Sequence, residues 1–244
     1  MVTIDVALLP RDLPANQSEQ AVVVLDVLRA TTSMAAALAA GVKEIRVFGD
    51  VTSAQQAARA YSGKALLCGE LQCLPPPGFD LGNSPDAFGP IHAGRTVFMS
   101  TTNGTRAIIA ARSAKRVLTG AIVNAEAVAE RLIDLGMNAT LLCAGTNGRI
   151  AMEDLIGAGA ILHSLQKRQA IELGSDVARV ALRLFDTTRD GLRAALGDAQ
   201  GGRNVIAAGL PEDIDFAAKL NSLSAVGVIK EEPLRVVPWG DEKI

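Results

Sequence analysis

Runs of β-branched, apolar residues alternate with Ala-rich helical runs along most of the chain. Residues 22–27 form a continuous apolar run broken only by Asp26, the pattern of a buried strand. Residues 32–40 read as a helix stopped by Gly41. Strands are predicted at 44–48 and 65–68 with a helix at 53–61 between them, then at 96–99, 116–118 and 140–143. Helices at 106–114 and 125–135 separate these last three, and residues 150–196 keep a helical pattern throughout. Residues 226–229 and 234–237 read as a closing strand pair around Glu231-Glu232-Pro233. The rhythm predicts a layered α/β fold with a largely parallel, buried sheet built from strand–loop–helix units. The 244 residues suit one such domain, 1–244, with a subdivision near residue 95 as the alternative.

Two features interrupt the rhythm. Residues 69–94 carry Pro75, Pro76, Pro77, Pro85 and Pro90 with several glycines, and so form a long loop. Its apolar content (Leu71, Leu74, Phe79, Leu81, Phe88, Ile91) predicts an ordered loop over a cleft, with Phe79, Asp80, Asn83 and Ser84 closing a pocket. The second feature is an internal echo. A strand followed by Thr102-Asn103-Gly104 recurs as a strand followed by Thr146-Asn147-Gly148, which suggests duplicated units presenting equivalent loops.

Composition narrows the function. The 24 basic and 26 acidic residues leave a net charge of -2, against a dedicated nucleic-acid binder. No apolar run reaches the length of a membrane helix, and the N-terminus lacks the pattern of a signal peptide. Cys68, Cys73 and Cys143 have no metal-finger spacing and fit a reducing, cytoplasmic setting. The oligomeric state, a homo-oligomer included, stays open.

The loops carry the candidate chemistry. A strand that ends in Thr-Asn-Gly and opens a helix presents unpaired N–H groups and a positive dipole end to an anion. Thr102, Asn103, Gly104, Thr105 and Arg106 form one such loop, and Thr146, Asn147, Gly148 and Arg149 a second. Asp26 to Ser33, with Arg29, Thr31 and Thr32, forms a third. Capping and turn roles for the Thr and Asn residues are the alternative. Arg29, Arg106 and Arg149 are expected to face one cleft and share the charges of a polyanion.

No Walker A sequence and no Gly-x-Ser-x-Gly elbow occurs, and the only histidines are His92 and His163, the latter on an apolar helical face. Asp26 and Glu70 stand at strand ends, where open α/β sheets collect ligands. With Asp154, preferred over Glu153, they are the expected catalytic carboxylates and the oxygen ligands of a Mg²⁺ ion.

The blocks at 24–32, 78–85, 101–106 and 143–149 occur together and in order. With Glu153-Asp154, Gly202-Arg203-Asn204 and Glu212-Asp213-Ile214, they resemble the 2-phosphosulfolactate phosphatase family over nearly the whole chain. The resemblance implies a Mg²⁺-dependent phosphohydrolase of coenzyme M biosynthesis that converts (2R)-2-phospho-3-sulfolactate to 3-sulfolactate and phosphate. This chain departs from the family's polar, Gly-containing stretch after Glu70, where it has Leu71-Gln-Cys-Leu-Pro-Pro-Pro77. Competing readings are a phosphatase for another small polyanionic phosphoester and a non-catalytic anion or nucleotide sensor.

Overall fold

The computed structural model describes residues 1–240. Its centre is Ala21–Leu25 (β2), whose five residues are all buried. On either side lie Arg116–Gly120 (β6) and Ala139–Cys143 (β7), both parallel to it. Val2–Ala7 (β1) and Ile171–Leu173 (β8) extend this parallel section beyond β7. A second parallel section consists of Glu44–Val47 (β3), Ala65–Gly69 (β4) and Thr96–Ser100 (β5). The hairpin Gly227–Lys230 (β9) and Arg235–Pro238 (β10) joins the two by antiparallel pairing to β6 and β3. One ten-stranded sheet results, in the order β4-β5-β3-β10-β9-β6-β2-β7-β1-β8. Three successive antiparallel pairings make the β3–β5–β4 section run opposite in sense to the β2 section.

Helices cover both faces, as parallel strands buried on both sides require. Ala30–Ala39 (α1) is apolar nearly all round and nine of its residues are buried. With Gly104–Ala111 (α3) it fills a core shared by Val22 and Val24 of β2, Ile45 of β3, Leu66 of β4 and Val97 of β5. Val51–Ala60 (α2) is amphipathic and is capped by the Asp50 side chain, which accepts from Ser53 N at 2.8 Å. On the opposite face Ala125–Leu135 (α4), Met152–Arg168 (α5) and Asp176–Thr188 (α6) enclose the core around Leu25, Leu141 and Ile161. Leu192–Asp198 (α7), Gln200–Ala207 (α8) and Pro211–Ala217 (α9) follow. Among the described residues no helix is long and apolar enough to cross a membrane.

The structure adds elements that the sequence pattern did not predict, the strand β1 and the helices α8 and α9, and departs from it in three further places. Residues 150–196 are not helical throughout: β8 interrupts them and pairs with β1, and Ser175 then caps α6 by accepting from Ala178 N. The two Thr-Asn-Gly segments are not equivalent. The first leads directly into α3 at Gly104, whereas Thr146 and Arg149 bridge each other across a turn and α5 starts only at Met152. Asn147 (φ 53°) and Gly148 (φ 73°) are both left-handed, the conformation Asn-Gly favours in a tight two-residue turn. Finally, the 69–94 loop runs partly along the edge strand β4 instead of lying wholly over a cleft. Leu81 N bonds Leu67 O at 3.0 Å, and Asp80 accepts from Leu67 N at 2.8 Å. Phe79 and Asp80 therefore belong to a cover that blocks further pairing on that edge.

Ile45 lies at the junction of the two parallel sections, opposite Val236 and fully buried. Ile45→Ala is expected to cost about 2–5 kcal/mol. Because both sections share one sheet, urea denaturation should still show one coincident transition by fluorescence and circular dichroism. Two separated transitions would mean that the sections unfold independently.

Candidate active site

The loops after β2, β4, β5 and β7 meet at a cavity of about 130 Å³. Direct contacts hold them there. Thr102 N, after β5, donates to Glu70 Oε1, after β4, at 2.7 Å. Asn147 N, after β7, donates to Asn103 Oδ1 at 3.2 Å. Gly104 opens α3 against the loop after β2, where a Cβ would lie 2.5 Å from Ala30 Cβ and 2.8 Å from Asp26 Oδ2. Any side chain at 104 would push these loops apart.

Asp26 is buried and lines the cavity. Its Oδ1 accepts from Ala30 N at 3.2 Å, at the start of α1. Burial raises its pKa to about 7, with repulsion from Glu70 and Glu153 adding to the shift. Glu70 also lines the cavity; its other oxygen accepts from Cys73 N at 3.0 Å. Asp154, expected as a third metal carboxylate, does not line the cavity. Both its oxygens are used behind it, accepting from Val27 N at 2.8 Å and Gly145 N at 3.0 Å. Asp154 thus ties the β2 loop to the β7 loop, and burial, with repulsion from Asp26 and Glu153, raises its pKa well above the usual carboxylate range. Glu153, 1% exposed, has one oxygen without a partner, and its pKa is raised chiefly by burial.

The three arginines do not share the cleft. Arg106 and Arg149 are exposed and do not line the cavity. Arg29 does line it, but its charge is matched: Nη1 donates to Asp213 of α9 at 2.5 Å and to Ser84 at 3.2 Å. Its Nη2 donates to the Cys73 carbonyl. These bonds use three of the five N–H donors of a guanidinium and leave the others for a ligand. Ser84 sits behind Arg29, donating to Asp213 at 2.9 Å. Asn83 does reach the cavity from the long loop, buried and with an unpartnered Oδ1.

Several expected ligand groups are instead local ties. Thr31 Oγ1 accepts from Asp26 N and donates to Asp26 O, each at 3.0 Å. Thr32 donates to Val27 O, and Thr105 to Thr101 O. Thr102, Asn103, Thr146 and Asn147 line the cavity; Gly104, Thr105 and Gly148 do not. Leu28, Gln72, Cys73, Gly201 and Asn204 also line it and were not anticipated. Gln72 and Cys73, both at positive φ, form a tight turn between Leu71 and Leu74, a conformation without a signature in Gln-Cys. His163 is bonded to Asp186 at 2.9 Å, away from the cavity.

Comparison with known proteins agrees along the chain. The model of the 2-phosphosulpholactate phosphatase family matches residues 7–232. A protein of Carboxydothermus hydrogenoformans named "Probable 2-phosphosulfolactate phosphatase" is 41% identical over 223 residues, covering 91% of this chain and 91% of the relative. Relatives with the same name from Parasynechococcus marenigrum (40% identical, 89% of this chain and 92% of the relative) and Clostridium tetani (31%, 94% and 100%) also align.

Asp26 gives a stability prediction for protein kept in chelator. Below its unfolded pKa near 3.8, Asp26 is protonated in both states. As pH rises toward about 7, the unfolded chain sheds that proton while the folded chain keeps it, so stability falls across this window. Asp26→Asn has no such proton. Its Tm advantage over the wild type should therefore grow between pH 5 and pH 8, and a variant less stable at pH 8 than at pH 5 relative to wild type would refute the burial account.

Proposed function

Because the chain belongs to the 2-phosphosulfolactate phosphatase family, we propose that it hydrolyses (2R)-2-phospho-3-sulfolactate with a Mg²⁺ ion held by Asp26 and Glu70. Water adds to phosphorus, the ester P–O bond breaks, and a proton ends on the departing C2 oxygen. The products are 3-sulfolactate and phosphate.

The observation that carries the metal assignment is the charge balance of the cavity. Two carboxylates line it, while Arg29 is neutralised by Asp213 and the other two candidate arginines lie outside. A phosphorylated polyanion entering such a cavity meets net negative charge and requires cations. The donor set fits: Asp26 and Glu70 offer oxygens, and neither histidine lines the cavity. Among the described residues no group of three or more His, Cys, Asp or Glu side chains is placed to hold a metal ion. Mg²⁺ tolerates that, because it commonly takes one or two carboxylates and fills its shell with water and phosphate oxygens. When bound, the ion would offset phosphate charge and acidify water.

The chain's own groups do the rest. Backbone N–H groups of Ala30, Thr102 and Cys73 hold the two carboxylates in place. Arg29, fixed by Asp213 and Ser84, directs its remaining donors to the substrate carboxylate, for which a planar guanidinium is suited. Asn83 Oδ1 provides a buried acceptor that can orient a water.

Phosphate release from synthetic 2-phospho-3-sulfolactate tests the reading. Chelator should abolish it and added Mg²⁺ restore it. Asp26→Asn and Glu70→Gln should each lower kcat/KM by at least about 10²-fold at saturating Mg²⁺. Undiminished turnover in chelator would remove the metal from the account.

A further inference from the structure

Beyond its charged groups the cavity wall is neutral and mostly polar, and includes Asn103 and Asn204. An asparagine can show a ligand either its oxygen, an acceptor, or its NH₂, a donor. Which end is free depends on what the other end already binds. For both residues that choice is forced by a group that can only donate.

Asn103 Oδ1 accepts from the backbone N–H of Asn147 at 3.2 Å. A backbone N–H cannot accept, so the oxygen of Asn103 is committed and its NH₂ remains. Asn204, on α8, is set by a two-step relay. Arg203 Nη2 donates to Gln200 Oε1 at 3.0 Å, and Gln200 Nε2 donates to Asn204 Oδ1 at 2.9 Å. Arginine has no acceptor, so Gln200 must point its oxygen at Arg203 and its NH₂ at Asn204. The oxygen of Asn204 is then committed as well. Neither free NH₂ has a hydrogen-bond partner among the described residues.

We propose that Asn103 and Asn204 form a donor-only subsite for the sulfonate arm of the substrate, and that this subsite sets the preference for sulfonated esters. The proposal rests on the activity assigned under Proposed function. A sulfonate is ionised at every working pH, has three acceptor oxygens and never donates. It is also a weakly basic anion, which neutral donors can hold without a counter-charge. The more basic phosphate and carboxylate then fall to the cation-binding pair and Arg29. An ester without the sulfonate leaves the two NH₂ groups without their intended acceptor, a loss that hydrogen-bonding sites convert into strong discrimination.

The test compares kcat/KM for 2-phospho-3-sulfolactate and 2-phospholactate, which lacks the sulfonate, by phosphate release in Mg²⁺. Asn103→Asp and Asn204→Asp keep volume but replace the donor end with an anionic acceptor. Each should lower the ratio of the two kcat/KM values at least tenfold. Gln200→Glu reaches the same subsite from an exposed position outside the cavity lining. Its two acceptor oxygens would draw the NH₂ of Asn204 away from the cavity and turn its oxygen inward. The ratio should fall here too, with Tm close to that of wild type, a shift that a merely structural role would not produce. If wild type hydrolyses the sulfonated ester but the variants lose activity equally on both esters, or keep the ratio, the subsite is refuted and the activity stands. If wild type releases no phosphate from the sulfonated ester, the activity itself is refuted and the subsite with it.

Discussion

The site depends on burying carboxylates without burying matching cations. Asp26, Glu153 and Asp154 are nearly inaccessible, and burial pushes their pKa values upward, with repulsion from neighbouring carboxylates adding to the shift for Asp26 and Asp154. The fold tolerates this because backbone N–H groups from several loops point at the oxygens. Ala30 serves Asp26, Val27 and Gly145 serve Asp154, and Thr102 and Cys73 serve Glu70. Those same bonds lock the loops together, so the negative charge and the shape of the cavity have one cause. Such N–H donors soften the cost of a buried anion without cancelling it, so Asp26 holds its proton up to about pH 7.

That charge organises the other groups. The guanidinium of Arg29 is fixed by Asp213, Ser84 and the Cys73 carbonyl, which draw in α9, the long loop and the β4 turn. It enters the cavity as an aimed donor set with little net charge. Much of the remaining wall is made of side-chain amides and hydroxyls, and neighbouring groups set the orientation of Asn103 and Asn204. An acidic pair, a neutralised guanidinium and neutral donors thus share one small space, suited to a molecule with several unlike anionic groups.

Much of the frame was legible because burial on both faces leaves a plain trace. The runs around Val22, Val97 and Leu141 are unbroken apolar stretches, and Ala125–Leu135 matches its predicted bounds. Strand β8 was hidden because three residues, Ile171, Glu172 and Leu173, are too few to break a helical pattern. Asp26 and Glu70 could be picked out as carboxylates directly after apolar strands. Asp154 sits equally close in sequence to a loop, but only coordinates reveal that both its oxygens point to backbone behind the cavity. Arg106 and Arg149 show the limit of motif symmetry. Thr-Asn-Gly opens a helix in one copy and folds into a left-handed turn in the other, and in neither does the arginine face the ligand space. Asn204 and Asp213 belong to blocks that carry the family resemblance, but they sit on helices far along the chain and nothing local places them at the cavity.

The central claim is that Asp26 and Glu70 form a divalent-cation site whose charge is held back by burial. Calorimetric titration of metal-free protein with Mg²⁺, in buffers of different ionisation enthalpy, tests it most directly by counting protons released on binding. With Asp26 raised to about 7, binding should release close to one proton per ion at pH 6 and progressively fewer toward pH 8, and Asp26→Asn should remove the release. Mg²⁺ binding to wild type with no proton release at either pH, or no binding at all, would contradict the account.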